Sequence, residues 1–470
     1  MKKDAGVKDS VLGAVLLFVL ISLLNTNIAL SQEVAKPTIS KLISHVGKAL
    51  ARLEFTIDPK IIRPTRRVGT AICVNASKRI FLTLDIPTMV PRDQLKDFVL
   101  IVPGNQKKQI KAKLLNVDGE TGVGFLQADE GYKWSELRFP LRSNLRLGQR
   151  VLSVGLLGGQ FGNTPYFTEA KVSAVVRVPG QHVFVASGEL ASFSSPVLSE
   201  DGKPIGVVGG GVPLTYRMLL GGRWVDVGLY GRQLTRFFVP VEEFAGLIPT
   251  RGRPGRMPWL GVVRYLAPQP GQAIKGLNEG TAAVILGQII PNSPAAKVGL
   301  RQGDVVIAMN DKPLERLATP ALTVAQFKRQ ITRLQSNERI TLTVLRNGNE
   351  QVFQVKLEPV PTRPFEAERY YNNRLGIAVR DLVIWDRYVG RTKPLLEKGV
   401  LLEKVRRDSP ADKAGLRPGD LIIAINNTPV KAVSWLKGSL DRLTADSSTE
   451  PINFVLWRGD RPQSVRVNLK

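Results

Sequence analysis

One twelve-residue pattern occurs twice in the second half of this chain. It reads SPAAKVGLRQGD at 293–304 and SPADKAGLRPGD at 409–420. A repeat this long commits that half to two copies of one folding unit. Ser293 and Ser409 are placed as helix N-caps, each with proline at the first helical position. Gly299 and Gly415 can take the left-handed conformation that ends a short helix. Gly-Asp then turns the chain into an apolar strand, VVIAMN (305–310) or LIIAIN (421–426). Asn310-Asp311 and Asn426-Asn427 turn it again. Helical spacing follows in Val324, Phe327, Ile331 and Leu334, and in Trp435, Leu436, Leu440 and Leu443. TLTVLRNG (341–348) and NFVLWRGD (453–460) close the copies as strands.

The unit resembles the PDZ domain in its bacterial, circularly permuted form, with copies at 257–359 and 369–470. The resemblance implies a peptide site between a strand and the second helix, opened by a Leu-Gly-apolar loop. That loop is Leu260, Gly261 and Val262 in the first copy, and Leu375, Gly376 and Ile377 in the second. Its N–H groups would converge on a C-terminal carboxylate while the peptide adds as a strand to a sheet edge. An apolar pocket would take the last side chain. The plainer alternative is a copy that only packs against its neighbours. The connection from Trp385 to Leu396 is longer in the second copy and could cover its groove, so the first copy is expected to dominate.

Residues 65–250 carry many short β patterns split by Gly, Pro, Asn and Asp, as in a sandwich or barrel. Residues 32–64 form an N-terminal segment in which Ile39, Ile43, Val46 and Leu50 suggest a short amphipathic helix. Five landmarks stand in order: Gly69-Thr70-Ala71-Ile72, Leu145 to Gly155, Lys171-Val172-Ser173-Ala174, Gly202-Lys203-Pro204-Ile205-Gly206 and Phe238-Val239-Pro240-Val241. With two PDZ-like copies behind them, they are similar to the HtrA/Deg family of trypsin-like proteases. The implied fold is mainly β, a trypsin-like double β-barrel domain followed by two α+β PDZ domains.

A serine protease needs a Ser nucleophile, a His base and a carboxylate to orient the His. At the positions where the family carries His, Asp and Ser, this chain has Ile86, Gly122 and Phe193. Ala191 and Ser194 replace glycines of the oxyanion loop. Ser194 stands one position from the nucleophile's place, while His45 and His182 lie on other segments. Asp85 reads as a turn residue and Cys73 as a buried hydrophobe. The expectation is therefore a chain that is not an enzyme, a catalytically inactive homologue with no catalytic residues. It would bind proteins or peptides with apolar C-termini as a scaffold, chaperone-like or regulatory factor. The alternatives are a serine endopeptidase of protein quality control and a modulator of an active protease paralogue. The family's trimeric assembly is a further implication of the resemblance.

Lys2, Lys3 and Lys8 precede an apolar run from Val11 to Leu24, and Ala29 and Ser31 are spaced like a cleavage site. That is the three-part pattern of a secretory signal over 1–31. Fourteen apolar residues are short for a span of about 20, so a retained anchor over 11–24 is the second reading. Either way the folded chain would be periplasmic or secreted. A net charge of +26 favours anionic partners such as envelope polymers. Lys107, Lys108, Lys111 and Lys113, Arg63, Arg66 and Arg67, and Arg251, Arg253 and Arg256 form basic clusters without interleaved aromatics, so no nucleic acid is expected. A single cysteine excludes an internal disulfide and a multi-cysteine metal site. No metal or cofactor is expected.

Overall fold

The computed structural model describes residues 39–470 apart from 179–180, 210–214, 221–222, 229–236, 254, 270, 389–397, 446–449, 460 and 470. The leader expected over 1–31 and most of the connection after Trp385 lie outside the described residues.

The first half folds into two closed barrels. The first uses β1 (Leu50–Ile57), β2 (Thr65–Asn75), β3 (Ile80–Thr83), β4 (Leu95–Val102), β5 (Asn105–Val117) and β6 (Gly124–Ala128), in the order β1-β2-β3-β6-β5-β4. The second uses β7 (Arg150–Leu156), β8 (Pro165–Val178), β9 (Gln181–Gly188), β10 (Pro196–Ser199), β11 (Pro204–Val208) and β14 (Phe237–Pro240), in the order β10-β11-β14-β9-β8-β7. The hairpin of β12 (Thr215–Leu220) and β13 (Arg223–Gly228) is inserted before β14. Closure leaves neither barrel an open strand edge.

The barrel domain begins earlier than the sequence boundary at residue 65. Strand β1 lies inside the segment set apart as 32–64, where Leu50, Leu53 and Phe55 are buried and pair β1 with both β2 and β4. That boundary rested on the first family-like strand, which is the barrel's second. The helix before it spans Ile39–Gly47 and buries Leu42 and Val46. Leu50, expected on that helix, is the first residue of β1.

The two repeat units fold alike. Ser293 Oγ accepts the Ala296 N–H at 3.3 Å, and Ser409 Oγ accepts the Asp412 N–H at 3.3 Å. Gly299 and Gly415 adopt φ of 84° and 85° at the helix ends. The second helices span Pro320–Arg333, burying Phe327 and Ile331, and Val433–Leu443, burying Leu436 and Leu440. The aspartate of each Gly-Asp pair does more than turn the chain. Asp304 is buried and holds Arg346 through both oxygens at 2.8 and 2.7 Å. Asp420 holds Arg458 in the same way, both at 2.6 Å. Each clamp ties the motif to the closing strand of its sheet.

The strand order differs at one edge. The first unit has a five-strand path from Tyr265–Leu266 to Asn349–Lys356, whereas the second begins one strand earlier, with Arg369–Asn372.

Ion pairs fix the first unit to the barrels. Arg253 in the connecting segment reaches Asp118 at 3.2 Å and Glu120 at 2.6 Å. Arg329, on the helix Pro320–Arg333, meets Glu243 at 2.6 Å with both side chains buried. The arginines read from sequence as a basic cluster near 251–256 are thus partly consumed in domain docking; Arg256 pairs with Glu366.

Candidate functional site

Two places could carry function: the cleft between the barrels and the grooves of the repeat units. In the cleft, Ile86 is buried in the first-barrel core. Gly122 sits in the β5–β6 turn with φ 75°, its N–H donated to the Asp118 carbonyl at 2.9 Å. Phe193 is half-buried with its ring against Gly209. Their sequence neighbours form a connected polar group. Ser194, fully buried with φ 67°, accepts the Leu84 N–H at 2.8 Å and lies 3.2 Å from Thr83 Oγ1. Thr83 Oγ1 donates to the Thr70 carbonyl at 2.8 Å and has Asp85 Oδ2 3.4 Å away. Asp85 accepts the Thr70 N–H at 2.8 Å. Burial pushes the Asp85 carboxyl up to about 6, against the lowering effect of these hydrogen bonds. Asp85 is therefore an acceptor between strands rather than a turn residue. The sequence signal was the pattern Leu-Thr-x-Asp beside Ile86, read only for its missing histidine.

The Ser194 N–H is donated to the Val208 carbonyl at 2.7 Å, and that of Ser195 to Ser192 at 3.1 Å. His45 is exposed on the N-terminal helix, and His182 lies on β9 opposite Arg177. Cys73 is buried, and burial pushes its thiol up to about 12, which leaves it unreactive.

The first-unit groove is open. The Val263 N–H bonds the Gln288 carbonyl at 2.9 Å, and the Ile290 N–H bonds the Gly261 carbonyl at 2.9 Å. Val262 lies between these bonds, in an isolated antiparallel bridge with Ile289. By strand alternation its own N–H and C=O face the other way, toward the helix Pro320–Arg333. Leu260 and Val262 anchor the loop in the domain core. Gly261 has φ 96°, and a Cβ there would fall 2.1 Å from Ser293 Cβ, so the loop glycine is required by the capping serine of the repeat. The cavity beside this strand measures about 1000 Å³ and is lined by Tyr265, Ala321, Val324, Ala325, Lys328 and Trp385 among others. Trp385 comes from the second unit and meets Trp259 edge-on at 6.1 Å.

The second-unit groove is filled by the chain itself. Leu375 and Ile377 are fully buried, and Gly376 (φ 74°) packs on Ser409 as Gly261 does on Ser293. The strand Ile377–Asp381 is already paired with Arg369–Asn372. The Leu375 N–H is donated to Asn372 Oδ1 at 2.9 Å, and the Gly376 N–H to the Asn372 carbonyl at 2.9 Å. The expectation of an open peptide site at Leu375, Gly376 and Ile377 therefore has to be corrected. The covering segment precedes the loop, whereas most of the later connection suspected from sequence length lies outside the described residues.

A trypsin-like peptidase domain model matches residues 69–207, and PDZ domain models match 270–357 and 402–450. In this order of domains the chain is similar to the HtrA/Deg-type proteases. A probable periplasmic serine endoprotease, DegP-like, from Pseudomonas putida (strain F1) is 27% identical over 349 residues, covering 70% of this chain and 66% of that protein. The periplasmic pH-dependent serine endoprotease DegQ of Escherichia coli K12 is 22% identical over 397 residues, covering 80% and 76%. The chain thus spans just under two thirds of the Pseudomonas relative's length. A variant of the HtrA-type protease AlgW with decapeptide superposes with a TM-score of 0.50 at 19% identity, over 69% of this chain and 98% of that one, a likeness of fold.

These relatives overturn the expectation that the chain is not an enzyme, since the similar proteins are named as serine endoproteases. That expectation judged Ile86, Gly122 and Phe193 singly. The hydroxyl and carboxylate of Ser194 and Asp85, one residue away from two of them, join through Thr83 in the same cleft.

Proposed function

We propose that this HtrA/Deg-type protein works outside the cytoplasm, captures polypeptide C-termini in the groove of its first PDZ domain and holds them beside a trypsin-like endopeptidase domain. The open edge at Val262, beside an apolar cavity, carries the reading. A peptide would add as a strand there, its carboxylate meeting the loop at Leu260, Gly261 and Val262 and its last side chain entering the cavity. Arg264 and Lys328 border the groove without an ion pair among the described residues, which suits an anionic ligand.

The test is titration of labelled peptides with an apolar last residue against the full chain. Amidation removes the terminal charge, and hydrogen bonds to an ionised group are roughly twice as strong as neutral ones. Amidated peptides should bind at least tenfold more weakly, about 1.4 kcal/mol. Equal binding of both forms would show that the groove does not read chain ends.

The names of the relatives support endopeptidase activity in the barrel domain. In this chain the nucleophile proposed is the Ser194 hydroxyl, which would give its proton to the nearby Asp85 carboxylate as its oxygen bonds the substrate carbonyl carbon. Ser194 is buried and its N–H is already bonded, so a substrate would have to open the loop 191–195 to form an oxyanion site. Cleavage of unfolded casein should rise as pH passes about 6, where Asp85 ionises. Fluorophosphonate labelling should be lost in Ser194→Ala. Cleavage that survives Ser194→Ala would move the nucleophile elsewhere, and absence of both cleavage and labelling would remove the endopeptidase reading.

A further inference from the structure

The two PDZ units of one chain are an internal comparison. In the first, the strand next to the groove helix is an edge. In the second, Arg369–Asn372 lies between the strand Ile377–Asp381 and the helix Val433–Leu443. Its direction is antiparallel, with Tyr370 opposite Val379 and Asn372 opposite Ile377. This is the placement that a bound peptide takes in strand addition. Asn372 stands where a ligand's last residue would stand, and its two oxygens take the loop N–H groups of Leu375 and Gly376. Two positions earlier Tyr370 is buried in the domain core, and its hydroxyl donates to Asp441 on the helix. Asn372 Nδ2 donates to Tyr370 Oη and to Thr444 Oγ1, both at 2.9 Å.

We propose that the groove of the second PDZ domain is a binding site for an internal, non-terminal strand, and that its resident ligand is this chain's own segment Arg369–Asn372. The loop meets neutral oxygens of Asn372 in place of a carboxylate, so the site needs no chain end. It selects an aromatic residue with a hydroxyl two positions before a carboxamide. The intervening residue faces the other way and is used as well. Tyr371 donates its hydroxyl to Asp93 at 2.8 Å and accepts from Gln94 Nε2 at 3.0 Å, both in the first barrel's β4 approach. Filling the groove thus also ties the segment between the PDZ domains to the barrel domain.

The experiment uses the full chain and a fluorescent peptide copying residues 366–373, acetylated and amidated so that it carries no terminal charge. Wild type should bind it weakly, because the resident segment is a tethered competitor. The double variant Tyr370→Ser with Asn372→Ala should bind it at least tenfold more tightly. No gain in the folded variant would overturn the proposal. Hydrogen exchange on the wild-type chain is independent of whether that variant folds. Amides of Ile377–Asp381 that face the segment should exchange at least tenfold more slowly than the Val262 amide at the open first groove. Equal exchange would show that the segment is not resident, and would overturn the proposal even if the peptide bound. Tyr371→Phe should leave that protection intact while freeing the contact with Asp93, read as faster exchange at 92–95. Loss of protection throughout 377–381 in this variant would mean that the barrel contact, not the groove, holds the segment.

Discussion

Asp85 shows how one buried carboxyl couples the cleft to pH. Its folded value of about 6 lies above the ordinary aspartate value of about 3.9. The protonated form is therefore favoured by folding. Its contribution is complete below about pH 4 and is lost as pH rises through 6. A shift of this size corresponds to about 3 kcal/mol. Urea midpoints should show the wild type losing about that much between pH 4 and 7 relative to Asp85→Asn, which cannot ionise. Parallel pH profiles for the two proteins would contradict it. Gly261 is the residue-scale test of the first groove. Gly261→Ala puts a side chain at φ 96° and into Ser293, so stability should fall by about 1–3 kcal/mol. Peptide affinity should drop at least tenfold, and unchanged affinity would mean that the loop backbone is not the carboxylate site.

The helix Pro320–Arg333 works on two faces. Val324 and Lys328 line the groove, while Arg329 and Arg333 meet Glu243 of the barrel domain at 2.6 and 3.1 Å. Removing one partner of a buried pair strands the other charge, at a cost of about 3 kcal/mol. Glu243→Gln should lower stability by that order and expose the connecting segment 251–257 to limited proteolysis. A loss under about 0.5 kcal/mol would show that packing, not this pair, docks the domain. The groove helices themselves were legible, because Phe327, Ile331, Leu436 and Leu440 repeat at helical spacing. Their orientation was not. Nothing in the sequence joins Arg329 and Arg333 to Glu243, which lies far away along the chain. The clamps Asp304–Arg346 and Asp420–Arg458 were hidden for the same reason, although both aspartates stood inside the repeat.

At the scale of the whole molecule, the charge of +26 is a property of the surface. Lys107 and Lys111 are exposed, but Lys108 pairs with Glu130, Lys113 with Asp129 and Arg66 with Glu54. The residual attraction to polyanions is therefore diffuse and screened. The Debye length falls from about 10 Å at 0.1 M to about 3 Å at 1 M salt. Retention on a heparin-like matrix should fall steeply over that range. Retention indifferent to salt would assign the contact to apolar surface such as Leu141, Leu147 and Phe161, which are well exposed.

The repeat and the alternation of short β patterns determined a barrel domain followed by two PDZ-like units, and the Leu-Gly loops marked two places where a peptide site was expected. These are local features, in which cap, glycine and apolar period carry their own conformational preference. Tertiary structure decided everything that depends on segments meeting. It added β1 to the barrel, brought Ser194, Thr83 and Asp85 into one cleft, and filled one of two near-identical grooves. The physical reason is visible at Arg369–Asn372. Arg-Tyr-Tyr-Asn has no pattern that marks it as a ligand. It becomes one because Asn372 can reach the loop amides while Tyr370 reaches the helix, and neither surface exists until the rest of the domain has folded.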